Sequence, residues 1–120
     1  MAGRFPLYTD ADIHGPLVEG LIRGGWDVVR AVTSRPEGEE DLVHFELAAE
    51  QDRVLVAYDR HQRQIALDWI ETGKPFRGYI TWKQKLHERM SVGEFLEAFE
   101  ALAAEDEPFA YKIRYITSKR

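Results

Sequence analysis

The chain contains no cysteine, which excludes disulfides and every thiolate metal site. It also contains no apolar run near the roughly 18–20 residues that a membrane-spanning helix needs. Its opening, MAGRFPLYTD, lacks the long apolar stretch of a secretory signal. A cytoplasmic, non-membrane protein is the expectation. A surplus of positive charge is missing as well. The net charge of −5 argues against a general nucleic-acid coat and leaves local basic patches open. No repeat or low-complexity segment interrupts the 120 residues, so a single domain over 1–120 is expected.

What is present is an ordinary globular balance, 44% hydrophobic and 31% charged, arranged in alternating patterns. FPLYT (5–9) and WDVVRA (26–31) read as strands from their aromatic and β-branched content. Between them Pro16 suits a first helical turn, Leu17, Leu21 and Ile22 supply an apolar face, and Gly24-Gly25 ends the helix. A second helix is predicted over 41–51, with Leu42, Phe45 and Ala49 inward. RVLVAY (53–58) is a third strand. A helix follows it, with Ile65, Ala66, Trp69 and Ile70 at helical spacing and Gly73 and Pro75 at its end. RGYITW (77–82) is a fourth strand, and KQKLHERM is either loop or one short turn. Ser91 and Glu94 form a capping box for a helix burying Phe95, Leu96, Phe99 and Leu102. PFAYKIRYI (108–116) alternates as a half-exposed edge strand.

Strict β-α-β alternation predicts an α/β fold, a mostly parallel five-stranded sheet covered on both faces, with flavodoxin-like order 2-1-3-4-5. In such sheets ligands bind beyond the carboxyl ends of the strands, where the chain order reverses. The residues after the first and third strands, TDADIH and YDRHQ, therefore belong to one crevice. Asp10, Asp12 and Asp59 lie in them, and Asp41, with Glu39 and Glu40 beside it, opens the second helix near the same edge. Converging carboxylates repel and need a counter-charge. A hard divalent cation, magnesium or manganese, answers that need.

A plainer explanation covers Asp12, Asp41 and Asp59, each taken singly. Aspartate at a helix start accepts hydrogen bonds from free N–H groups and favours the positive end of the helix dipole. The basic residues have two readings too. Arg60, His61 and Arg63 follow the third strand, and Lys83, Lys85, His87 and Arg89 follow the fourth. They read as a rim for a polyanionic backbone or as solvated surface charge. Tyr58 and Trp82 suit base stacking or core packing.

The chain resembles the compact PIN-like nucleases of the PIN domain superfamily over about 7–80. The resemblance rests on the Asp-rich strand end in LYTDADIHGPLVEGLIRGGWDVV and the acidic helix start in EEDLVHFELAAEQDRVLVAYDR. It implies hydrolysis of single-stranded RNA with acid-bound Mg2+ or Mn2+, often as a toxin restrained by a small antitoxin protein. Carried over by position, Asp10, Asp41 and Asp59 are the implied metal ligands and catalytic acids, with Asp12 beside them. On the rim reading of the basic residues, Arg60, Arg63, Lys83 and Lys85 are the expected substrate contacts. The chain departs from the family's Thr-x-Asp-x-Asp-Phe signature. Ala57 stands for Thr, His61 for the second Asp and Gln62 for Phe. His61 retains the capacity to bind a metal or shuttle a proton.

Two rivals share the fold. A receiver-type phosphoacceptor domain places Asp59 as acceptor, with Asp10, Asp12, Thr81 and Lys112 around it. Against it, Ala11 separates the first acids and no Lys-Pro turn follows Lys112. A PIN-like module that binds without cutting is the other; its last strand, with Tyr111 and Tyr115, suits pairing across a homodimer.

Overall fold

The computed structural model of the chain describes residues 4–31, 39–105 and 112–117. Its elements run β1 (Leu7–Thr9), α1 (Gly15–Arg23), β2 (Val28–Arg30), α2 (Glu39–Glu50), β3 (Val54–Val56), α3 (Arg60–Thr72), β4 (Tyr79–Thr81), a 3-10 turn (Gln84–Glu88), α4 (Val92–Ala103) and β5 (Ile113–Tyr115). The strands form one five-stranded sheet in the order β2-β1-β3-β4-β5. All four pairings are parallel. Tyr8 pairs with Leu55 and Thr9 with Val56, so the chain leaves β1 and β3 side by side at the same edge. That is the predicted architecture, an α/β/α sandwich with its switch point between β1 and β3.

Alternation along each strand divides the interior into two cores. On one face Leu7, Val54, Val56, Ile80 and Trp82 pack with Leu17, Val18 and Leu21 of α1 and Phe95 and Phe99 of α4. On the other, Tyr8, Leu55, Ala57 and Tyr79 pack with Phe45 and Ala48 of α2 and Ile65 and Ala66 of α3. A strand buried on both sides has no polar face to spare, which is why VLV in β3 is apolar throughout.

The helix signals in the sequence act as expected. Pro16 sits in the first turn of α1, where its missing N–H removes nothing the helix needs. Gly73 closes α3 in the left-handed conformation, φ 74°, with its N–H directed to the carbonyls of Trp69 and Ile70. Ser91 Oγ accepts from the Glu94 N–H while Glu94 Oε1 accepts from the Ser91 N–H, the reciprocal cap of α4. The ambiguous KQKLHERM segment folds as the 3-10 turn.

Several apolar assignments are corrected. Ile22, Leu42 and Ile70, expected to face inward, are each more than 40% exposed. Each adjoins a residue that fills its helix's inner line, and a helix stripe about 100° wide has no room for both. The strands are also shorter than their apolar runs, three residues apiece. Side chains such as Phe5, Trp26 and Trp82 continue the core without continuing the ladder. Phe109 and Tyr111, assigned to the last strand, lie outside the described residues.

Candidate functional site

Asp10 is the first residue after β1. Its backbone N–H bonds to the Val56 carbonyl at 2.9 Å, which fixes it against β3, and it is only 8% exposed. Asp59 caps α3, where its Oδ1 accepts from the His61 N–H at 3.0 Å. Asp41, in the first turn of α2, is buried to 7% exposure. Asp12 is exposed in the turn before α1.

Electrostatics binds the four into one group. Burial raises the Asp10 carboxyl to about 6, against an ordinary value of 3.8; a bond from the Ala11 N–H opposes this, and the charges of Asp12, Asp41 and Asp59 push it further up. The Asp41 carboxyl is also raised, first by burial, with Asp59 adding to the rise and His61 opposing it. Tyr8, Tyr58 and Tyr79, raised chiefly by burial, each feel Asp10 as well. The acids expected at one edge are thus near enough for Asp10 to feel the charge of the other three and for Asp41 to feel that of Asp59.

The helix-cap explanation accounts for one of them. Asp59 is a true N-cap. Asp12 is not, because the cap position of α1 is His14. Asp41 lies inside α2, two residues past its start, with its carboxylate engaged by a side chain. That side chain is His61, whose Nδ1 lies 2.7 Å from Asp41 Oδ2. The carboxylate fixes the tautomer: Nδ1 carries the proton and donates it. His61 is itself more than half exposed. Among the described residues no lysine or arginine forms an ion pair with any of the four aspartates.

The donor set is right in kind for a hard divalent cation, being carboxylate oxygens with a crowding of negative charge. Its arrangement is not a ready-made cage. Among the described residues no group of three or more His, Asp or Glu side chains is placed to hold a metal ion. His61 takes one oxygen of Asp41, and the helix start takes one of Asp59.

The basic residues divide. Arg60, Lys83 and Lys85 are exposed. Arg63 is half-buried, with its guanidinium 5.9 Å from the centre of the Tyr115 ring and its Nε buried without a partner. Trp82 is fully buried, stacked beside Tyr58 at 5.9 Å and packed on Phe95 at 5.0 Å, so it belongs to the core. Tyr58 donates its hydroxyl to the Asp12 carbonyl at 3.0 Å, tying the turn after β1 to the end of β3. Thr81 is fully buried beside Tyr79, its hydroxyl without a partner, and Lys112 is exposed beside β5. The receiver scheme needs both at the crevice: Thr81 ends β4 at that edge, whereas Lys112 precedes β5 at the opposite one.

Three features went unread in the sequence. Tyr8 Oη and His44 Nδ1 meet at 2.7 Å within the core, pinning α2 to β1 one turn beyond Asp41. The clue was available, since His44 stands three residues after Asp41 and so shares its helix face. Gln62 is fully buried with both amide atoms unpartnered; its place three and four residues before Ile65 and Ala66, on the inward face of α3, was the available signal. Arg30 ends β2 at the same sheet edge as Asp10, opposite Thr9 in register.

No family model, curated protein or solved structure matches the chain. Among the described residues, no helix is long and apolar enough to cross a membrane.

Proposed function

We propose that the carboxylate crevice is the centre of a metal-dependent, PIN-like ribonuclease that hydrolyses phosphodiester bonds of single-stranded RNA. We read it as a cytoplasmic enzyme of the kind that serves as the toxin of a toxin–antitoxin pair. One observation carries the reading: Asp10 and Asp12 from the turn after β1, Asp41 from the start of α2 and Asp59 from the cap of α3 come from three separated segments to one edge. There the charges of Asp12, Asp41 and Asp59 push up the Asp10 carboxyl and Asp59 pushes up that of Asp41, and among the described residues no lysine or arginine forms an ion pair with any of the four. A fold keeps such a cluster when something cationic is to be bound.

Asp10, Asp41 and Asp59 would hold Mg2+ or Mn2+, with Asp12 beside them. Bound there, the ion supplies an acidified water and neutralises charge on the phosphate. The side chains divide the remaining work. Asp10, buried against β3, is the rigid ligand, and Asp59 is fixed by its cap. His61 orients Asp41 through Nδ1, leaving the unprotonated Nε2 to accept a proton from the attacking water. Arg60, Lys83 and Lys85, all exposed, attract the RNA backbone without reading its sequence.

The His61–Asp41 pair supports a second reading, a PIN-like module that binds its partner without cutting, because His61 takes up a carboxylate that the metal needs. Cleavage assays separate the two. Purified protein with Mn2+ or Mg2+ is expected to cut unstructured RNA, and chelator, Asp10→Asn or Asp59→Asn is expected to abolish cutting. A folded wild-type protein inert on RNA in both metals would leave the binding module standing.

A further inference from the structure

On the α1 side of Asp10 the surface opens into a cavity of about 400 Å³, lined by Thr9, Asp10, Ala11, Ile13, Val18, Arg30 and Ala31. That volume falls within the range of small-ligand sites, about 300–1,000 Å³. Its chemistry is divided. Ile13 and Val18 are buried apolar residues of the core, and with Ala11 and Ala31 they make most of the wall. The charged members are Asp10 and Arg30. Arg30 is exposed and has no ion-pair partner among the described residues.

Each part limits the occupant. A lone inorganic anion gains from Arg30 but leaves the apolar wall uncovered. A purely apolar ligand leaves the guanidinium unused. A phosphate ester with a flat, weakly polar body satisfies both, since arginine grips phosphate oxygens in a two-pronged contact. The same Asp10 belongs to the acidic cluster, so a chain running from one side of Asp10 to the other crosses both sites.

We propose that this cavity is a subsite for one nucleotide of the RNA strand, its phosphate on Arg30 and its sugar and base on the floor of Ile13 and Val18. The subsite rests on the ribonuclease reading and names where the strand lies beyond the cleaved bond. None of the lining residues is aromatic or carries a side-chain amide, so base identity is read weakly there.

The test titrates metal-free, full-length protein with adenosine 5′-monophosphate, followed by amide shifts in NMR. Wild type is expected to shift at Ala11, Arg30 and Ala31. Arg30→Gln should weaken binding about tenfold, the worth of one charge-assisted contact. Arg23→Gln, an exposed cation at the end of α1 and outside the cavity, should leave it unchanged. Ala31→Phe, which fills the cavity, should remove the shifts, and adenosine should bind weakly and ignore Arg30. Absent shifts, or equal binding by wild type and Arg30→Gln, overturn the subsite. RNA cleavage with no Arg30-dependent binding sinks the subsite alone; Arg30-dependent binding without cleavage sinks the nuclease reading alone.

Discussion

Replacing Asp10 by asparagine should make the protein more stable at neutral pH, and the gain should depend on pH in one direction. The side chain is nearly isosteric, and its oxygen still accepts the Ala11 N–H. What disappears is a buried negative charge held among Asp12, Asp41 and Asp59. The carboxyl titrates near 6 in the folded chain against an ordinary 3.8, so the folded state binds its proton more tightly than the unfolded one. Stability from that proton is full below the ordinary value and is lost as pH rises through about 6. Above that range the ionised carboxylate destabilises the fold by about 3 kcal/mol. Asp10→Asn should therefore raise Tm by roughly 10 °C at pH 8 and by very little near pH 4. Differential scanning calorimetry across that range measures both. Millimolar Mn2+ should raise the wild-type Tm at pH 8 and leave Asp10→Asn unmoved. A variant less stable than wild type at pH 8, or a difference flat with pH, would refute the electrostatic account of the cluster. A stabilising effect is the opposite of what an ordinary cap or core aspartate gives.

Three further substitutions probe the surroundings. His61→Asp replaces the Asp41 donor with another acid; it should lower the metal-free stability by about 1–2 kcal/mol and enlarge the Mn2+-induced rise in Tm, both read by differential scanning fluorimetry. Tyr8→Phe strips the hydroxyl from the buried His44 pair and should cost about 1–3 kcal/mol in urea denaturation, because the imidazole nitrogen loses its partner. Ser91→Ala breaks the cap of α4 and should cost about 1 kcal/mol with the metal response unchanged, which separates general destabilisation from loss of the site.

Local chemistry wrote much of the fold plainly. Pro16, Gly73 and the Ser91–Glu94 pair act through backbone groups within a few residues of themselves, so their effect is readable without the rest of the chain. The alternation of apolar strands and amphipathic helices fixed a parallel sheet and, with it, the edge to which Asp10 and Asp59 are delivered. Where two apolar residues were neighbours on a helix, as with Leu21 and Ile22, periodicity could not say which one the sheet would cover. Hydrophobicity is a scalar, and the answer depends on the angle at which the helix docks.

The site shows the same division. That aspartates would gather follows from their places at strand ends and helix starts, which the sequence carries. How they are neutralised does not. His61 and Asp41 are twenty residues apart and meet at 2.7 Å only because α2 and α3 pack side by side on one face. Tyr8 and His44 meet for the same reason, and Arg30 comes to Asp10 because β2 lies next to β1. Short-range rules assign a residue to an element and an end of that element. Partners across elements, and the pKa values that follow from them, are set by packing. The asparagine exchange at Asp10 therefore tests the tertiary arrangement directly.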